Sequence, residues 1–278
     1  MSLQTKAMLT RVTVNRWGAT KSDKRVADEI DQIHNAKDAG RYTKSLVPKE
    51  PMKPLKSSGA AIRALHYKLT MPWDDAGDRL LPAKLLQKFQ DGMRDLKNTD
   101  ATVCRVFYKE YPQLLADAPS RLGTLFDAGD YPLPANLPNL FDVKISMRHI
   151  PNEADFRVDV NNDTANEIRA SIAAENNERL KGAVQDVYKR VQEVVSRIAT
   201  TMKIEDPRIF DTMVTNAREL IECLPGLNIT DDPLIDELCK DMEDMLPSSA
   251  KALKHNPELR KQMADDADEI LAKMTGYV

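Results

Sequence analysis

One stretch of the chain, residues 164–202, restricts the fold more than any other. It follows the turn residues Asn161, Asn162 and Asp163, which can cap a helix by accepting its first backbone N–H groups. The stretch contains no proline, and apolar residues recur in it in alternating steps of four and three. These residues are Leu180, Val184, Val187, Val191, Val194, Ile198 and Met202. Because this spacing keeps one seam facing a partner, it predicts a helix of roughly 40 residues that pairs with another helix.

A second long helix is predicted to begin at Pro82 and to end at about Leu115, since proline is favoured in the first turn of a helix. Its apolar residues follow the same spacing: Leu86, Phe89, Met93, Leu96, Val103, Phe107, Tyr111 and Leu114. Asp100 interrupts this seam as a polar residue. The two seams predict a mainly α fold built on a long antiparallel helical hairpin that resembles a coiled coil.

The section between the two helices has the pattern of strands and turns. Prolines and glycines are frequent in residues 121–138, and apolar and polar residues then alternate over residues 141–148. The alternation returns at residues 156–160, after the turn residues Pro151 and Asn152. This pattern predicts a small β-hairpin inserted at the tip of the helical hairpin, at about residues 120–160.

The first part of the chain is predicted to combine a strand with helices. Leu9–Trp17 is expected to be a strand, and Lys24 to Ala39 a modest helix capped by Ser22 and Asp23. The apolar side of that helix is formed by Val26, Ile30 and Ile33. Val47–Gly59 contains three prolines and is expected to be extended, whereas Ala60 to Leu69 is expected to be helical.

The last part of the chain is predicted to form a small helical bundle. Its three helices are expected from Ile209 to Leu224, from Thr230 or Asp231 to about Leu246, and from Asn256 to Met274. Pro233 and Pro257 stand close to two of the expected starts.

Charge divides the chain in a similar way, although the net charge is only −3. Lys and Arg outnumber Asp and Glu before residue 70, and the balance reverses after residue 205. The expected organisation is therefore a basic strand and helix region at 1–70, the helical hairpin with its β insertion at 71–204, and acidic C-terminal helices at 205–278.

Composition favours a helical, cytoplasmic protein. Charged residues make up 30% of the chain and aromatic residues only 5%, a balance that suits solvated helices better than a β-sandwich. No apolar run is long enough to span a bilayer, so no membrane partner is expected. The first 20 residues or so also lack the apolar core of a secretory signal. Cys104, Cys223 and Cys239 are odd in number and far apart, which argues against a disulfide framework.

The sequence nominates no catalytic residue and no cofactor. It contains neither a phosphate-binding glycine-rich loop nor a nucleophile elbow, and its four histidines have no metal-binding spacing. The acidic residues Asp74, Asp75 and Asp78 are the candidate ligands for a divalent cation, through hard carboxylate oxygens. The alternative is that these residues cap neighbouring turns while Trp73 packs its indole against the helices. An enzyme is therefore not expected.

Two kinds of partner remain open, a protein and a nucleic acid. Basic residues beside aromatic ones suggest nucleic-acid contacts, and the candidates are Arg16, Trp17, Lys21, Lys24, Arg25, Arg41 and Lys44. Charge pairing between the basic head and the acidic tail, in one chain or between two, explains the same asymmetry. Apolar positions left over for a protein interface are Trp73, Ile168, Ile172 and Val195.

Several short motifs resemble a family of uncharacterised bacteriophage proteins. They are Thr70–Asp75, Gly77–Pro82, Tyr111-Pro112, Arg121–Gly123, Leu125-Phe126, Asp130–Pro132, Asp155–Val158 and Ala264–Leu271. The resemblance covers most of the chain from about Leu69 and implies no established activity, catalytic residue or cofactor. Some relatives of that group are encoded near AAA+ ATPases of the cobaltochelatase type, which makes an adaptor role conceivable by association.

The first hypothesis is a non-enzymatic phage protein, of adaptor or inhibitor type, that acts by self-assembly or by binding a protein partner. The second is a nucleic-acid-binding accessory factor in phage replication or recombination that uses the basic N-terminal region.

The second hypothesis predicts DNA binding that weakens as salt is raised, because neutralised phosphates release counterions. Neutralising Lys21, Lys24 and Arg25 together is expected to weaken this binding further, in a titration with single-stranded and double-stranded DNA at two salt concentrations. Binding that is absent, or that salt does not change, would exclude the hypothesis.

Overall fold

The computed structural model describes residues 2–152, 158, 161–205, 207 and 209–277, and helices dominate it. The helices are α1 (Leu3–Lys6), α2 (Lys24–Ile33), α3 (Lys49–Leu69), α4 (Leu86–Leu122), α5 (Asn162–Met202), α6 (Asp211–Ile221), α7 (Leu224–Leu227), α8 (Pro233–Met245), α9 (Ala250–Lys254) and α10 (Pro257–Lys273). The strands are β1 (Ala7–Asn15), β2 (Thr20–Ser22), β3 (Thr43–Ser45), β4 (Met71–Pro72), β5 (Arg79–Pro82) and β6 (Asp142–Arg148). Short 3-10 helices lie at Ala83–Leu85, Gly123–Leu125, Ala128–Asp130 and Pro134–Leu140. The mainly helical class is thus confirmed, together with a small antiparallel sheet.

Side-chain caps explain why several helices begin where the sequence predicts. The side chain of Asn161 accepts the backbone N–H of Thr164 (2.8 Å) at the start of α5. Asp232 and Asn256 cap α8 and α10 in the same way, each followed by a proline in the first turn. Among the described residues, no helix combines the length and the apolarity needed to cross a bilayer.

The main sheet has the strand order β4-β5-β1-β6, with β1 antiparallel to β5 and β5 antiparallel to β4. The segment 70–82 therefore contains the β4–β5 hairpin, and α4 spans Leu86–Leu122 where the sequence predicted a helix from Pro82 to about Leu115. The strand predicted at 141–148 is present as β6, but it lies beside β1. Its expected partner at 156–160 falls largely outside the described residues, and Val158 is not in a strand. Period-two alternation specifies a strand without specifying which strand pairs with it.

The chain divides into two compact units. Unit 1 comprises residues 1–11, 66–90 and 146–278, and unit 2 comprises residues 12–65 and 91–145. Each unit combines stretches that are distant in sequence. The three consecutive regions expected from charge and residue pattern therefore do not coincide with the units.

In unit 1, α5 packs most extensively against α10, and also against α6, α8 and β4. Its buried residues are Ala165, Asn176, Ala183, Val187, Tyr188, Val191, Val195, Ile198, Ala199 and Met202. Tyr188, Val195 and Ala199 widen the stripe beyond the seam that a two-stranded coiled coil would bury. Several elements cover this stripe, where the spacing in the sequence suggested a single partner helix.

In unit 2, prolines lie inside helices, contrary to the expectation of an extended segment at 47–59. Pro51 falls in the first turn of α3, where its missing N–H would have no helical partner. Pro54 removes one helical hydrogen bond, but its neighbours Met52 and Leu55 are buried in the core of unit 2. Burial of these two side chains offsets the lost bond, since each contributes about 1.5–3 kcal/mol.

A second feature of unit 2 explains the polar break at Asp100. The Asp100 carboxylate forms a buried ion pair with the Arg16 guanidinium and accepts a hydrogen bond from the Ser58 hydroxyl (2.6 Å). Arg16 also donates to the backbone carbonyl of Asn15 (2.7 Å). Arg16 is therefore the partner that makes the burial of the Asp100 carboxylate tolerable.

Removing one partner of this ion pair should destabilise the protein strongly. Arg16→Met is expected to lower the free energy of unfolding by about 3 kcal/mol, because it leaves a buried carboxylate unpaired. The measurement is urea denaturation, with Arg105→Met on the exposed side of α4 as the control. An Arg16→Met variant as stable as the control would show that the ion pair does not stabilise the fold.

A buried histidine in unit 1 makes stability depend on pH. His66 is buried beside Phe89 and Tyr67. Burial and the nearby Arg79 guanidinium lower its pKa to about 4, against a weaker opposing effect of the Thr10 backbone. Because the unfolded chain binds a proton near pH 6.5 and the folded chain does not, stability is complete above about pH 6.5 and is lost as the pH falls towards 4.

His66→Gln is expected to reduce the dependence of the free energy of unfolding on pH. Between pH 7 and pH 5 the native protein should lose about 1–2 kcal/mol of stability through His66, and the variant should not lose that share. Denaturation of both proteins at the two pH values measures the difference in slope. His255→Gln, at an exposed position, is the control and should keep the native slope.

Candidate functional site

The most distinctive surface of unit 2 lies on α2, whose two ends in the sequence are joined by a small antiparallel ribbon of β2 and β3. β2 and β3 pair with Lys21 opposite Lys44, and α2 starts directly after β2. The backbone N–H of Asp23 donates to the carbonyl of Tyr42 (2.9 Å), and that of Leu46 donates to Ala19 (2.8 Å). These bonds hold the residues before and after α2 together.

A buried ammonium group fixes this ribbon. Lys44 Nζ lies 2.8 Å from the Asp130 carboxylate and 3.1 Å from that of Asp23, and it donates to the carbonyl of Leu125 (2.7 Å). Asp130 and Asp23 raise the pKa of Lys44 despite its burial. Lys44 in turn lowers the pKa of Asp23. Asp23 therefore occupies the N-cap position of α2 without capping it, because its carboxylate pairs with Lys44.

The apolar side of α2 is only partly covered by the described residues. Val26, Ile30 and Ile33 recur at helical spacing on one side, which we name the α2 face. Val26 is half-buried, whereas Ile30 is 44% and Ile33 74% exposed, and none of the residues of α2 is buried. An amphipathic helix normally turns such a face inwards, so this one is available to a partner.

The polar side of α2 borders a hollow of about 560 Å³ that mixes both signs of charge. Lys24 and Arg41 line it together with Asp28, Asp31 and Asp38. The carboxylates offset the cations at the place where a phosphate backbone would have to lie.

The structure separates the nucleic-acid candidates into two groups. Lys44 is buried and Arg16 half-buried, and each is held in ion pairs. Trp17 packs its indole edge-on against Tyr111, with ring centroids 5.7 Å apart. The exposed candidates are Lys21, Lys24, Arg25 and Arg41. Three of the seven candidates therefore serve the core of unit 2.

The three candidate metal ligands do not converge. Asp78 is buried, and its carboxylate pairs with Arg11 (2.8 Å) and with Arg148. The Asp74 carboxylate accepts the backbone N–H of Asp78 (2.8 Å), and Asp75 is exposed. Within the described part of the chain, no group of three or more His, Cys, Asp or Glu residues is placed to hold a metal ion. The alternative in which these aspartates stabilise turns agrees with this arrangement.

The four interface candidates also differ in exposure. Trp73 is buried with the Arg179 guanidinium over its ring (5.7 Å), and Val195 is completely buried in unit 1. These two residues are corrected to core positions, because the sheet and the bundle cover them. Ile168 and Ile172 on α5 are half-buried.

The cysteine thiols are poor nucleophiles. Cys104, Cys223 and Cys239 are all buried, and burial raises the pKa of each thiol, for Cys239 to about 11. The reactive species is the thiolate, which is scarce at neutral pH for such groups.

The α2 face was recognised in the sequence as one side of a helix but not as a binding surface. A signal was present, because between Gly18 and Ser45 the other large apolar residue is Tyr42, so the helix has few local partners. Comparison with family models, curated proteins and solved structures found no significant match to this chain. The function of the surface has to be inferred from its own residues.

Proposed function

We propose that this is a non-enzymatic phage protein that acts through protein–protein contacts, with the α2 face as the contact surface and a second copy of the chain as its occupant. The observation that carries the proposal is an ordered amphipathic helix whose apolar side is largely exposed among the described residues, with Val26 half-buried and Ile30 and Ile33 exposed. Covering exposed apolar surface contributes roughly 25 cal/mol per Å².

The anchoring of α2 favours binding by this face. Lys44 and the β2–β3 ribbon hold the helix by its first residues and by the chain that follows it. Little conformational entropy is then lost on association, since the helix is already formed.

The spacing of the α2 face supports a second copy as the partner. In an antiparallel pair about a two-fold axis between Glu29 and Ile30, Ile33 of one copy lies opposite Val26 of the other. Ile30 of each copy then lies beside Ile30 of the other, so that each apolar side chain is covered by another. A helix of 10 residues buries less surface than a permanent dimer, so a concentration-dependent dimer is expected.

Two finer points rest on the sequence. The spacing of the two seams favours a coiled-coil-like hairpin, whereas α5 packs most extensively against α10. The phage assignment, and with it the adaptor role, follows from the resemblance of the short motifs quoted above.

Nucleic-acid binding ranks second as a function. Lys21, Lys24, Arg25 and Arg41 are exposed, but Asp28, Asp31 and Asp38 lie among them. A nucleic-acid surface needs an excess of positive charge, which this arrangement reduces.

Ile33→Glu should abolish self-association, because it places a charge opposite the apolar side chain of Val26 in the second copy. Light scattering and sedimentation over a range of concentrations should show the mass of the native protein rising above that of one chain, and the variant should remain monomeric. Gln32→Glu adds the same charge on the polar side of the same helix and should behave like the native protein. A native protein that is monomeric at every concentration would overturn self-association through the α2 face.

A further inference from the structure

A second concave surface lies in unit 1, at the corner where β5 leads into α4. It encloses about 410 Å³, which is within the range of small-molecule sites. Its floor is formed by the buried residues Pro82, Gly226 and Ile229, and Lys6, Lys84 and Asp231 stand at its rim. We name it the corner hollow. An apolar floor with a few polar groups on one side is the usual form of a ligand site.

Two ammonium groups converge on one carboxylate at this rim. Lys6 Nζ lies 2.6 Å from the Asp231 carboxylate and donates to the carbonyl of Ile229 (3.0 Å). Lys84 Nζ is 3.8 Å from the same carboxylate and 3.5 Å from the carbonyl of Pro225. The rim therefore carries one more positive charge than negative, and Lys84 is only loosely held.

The walls of the corner hollow are fixed. The Asn228 side chain donates to the carbonyl of Asp232 (2.9 Å) and accepts its N–H (2.8 Å), which pins the loop that presents Asp231. A Cβ on Gly226 would lie 2.5 Å from the Leu85 side chain, so α7 and the 3-10 helix before α4 approach as closely as glycine allows. A ligand would meet a preformed cavity.

We propose that the corner hollow binds a small organic monoanion with a compact apolar body. The apolar body lies on Pro82 and Ile229, and the anionic group lies between Lys6 and Lys84, where it takes the place of the Asp231 carboxylate. A single negative charge matches the excess charge of the rim, and the Asp231 carboxylate marks the position that the anion would occupy. This site is independent of the α2 face and of the proposed self-association.

The probe is anilinonaphthalene sulfonate, an anion with an apolar aromatic body whose fluorescence rises in apolar surroundings. Lys84→Gln should weaken its binding about threefold, the size expected for one exposed ion pair. Lys88→Gln removes the same charge one turn further along α4, outside the corner hollow, and should leave binding unchanged. Circular dichroism of each variant checks that the fold is intact.

Asp231→Asn should change the affinity for the probe in the opposite direction. The backbone of Asp231 has φ +55°, a conformation that asparagine also adopts, so the substitution removes the competing carboxylate without straining the loop. Binding should strengthen about threefold. Phenylnaphthylamine, an uncharged analogue, should bind more weakly than the sulfonate and should not respond to either variant.

The proposal is overturned if Lys84→Gln and Lys88→Gln have equal effects, if Asp231→Asn does not strengthen binding, or if the uncharged analogue binds as well as the anion. Ile33→Glu is expected to dissociate the dimer without changing the probe titration at the corner hollow. This variant separates a failure of the ligand site from a failure of the α2 face.

Discussion

The buried ammonium group of Lys44 is the constraint on which the candidate surface depends. A charged side chain removed from water has to be surrounded by opposite charge and hydrogen-bond acceptors, and Asp23, Asp130 and the carbonyl of Leu125 provide them. These partners come from separate parts of unit 2, so one side chain orders the β2–β3 ribbon and the start of α2 together. The ion pair positions the first turn of α2, whereas the apolar side of the helix contributes little to the core of unit 2.

Much of the helical structure could be predicted from the sequence, because its causes are local. Caps at Asn161 and Asn256 and prolines in first turns mark helix starts, and an uninterrupted apolar stripe marks the extent of α5. Pro51 and Pro54 misled the prediction for α3, because the burial of Met52 and Leu55 outweighs a local preference. Which strand pairs with β6, and which elements cover α5, depends on residues that are distant in sequence. The periodicity of a local pattern carries no information about such contacts.

The candidate site was harder to predict for the same reason. A count of basic residues treats Arg16 and Lys44 as free charges. In the structure Arg16 forms an ion pair with Asp100, and Lys44 forms ion pairs with Asp23 and Asp130. Likewise, Trp73 and Val195 were chosen as apolar residues without a partner, and folding supplies partners from distant elements. Sequence reasoning identified the right helix in α2 and the right residues on it. It could not tell that their side of the helix stays open.

The way α2 is attached has a consequence for how the protein can change over time. Its outward residues contact little inside unit 2, so substitutions at Val26, Ile30 or Ile33 leave the folded chain almost as stable as before. Selection can therefore act on these positions for recognition alone, free of the compromise between stability and function that limits buried interfaces. A few substitutions on the outer side of α2 are therefore enough to change the partner that the protein binds, while the rest of unit 2 keeps its fold.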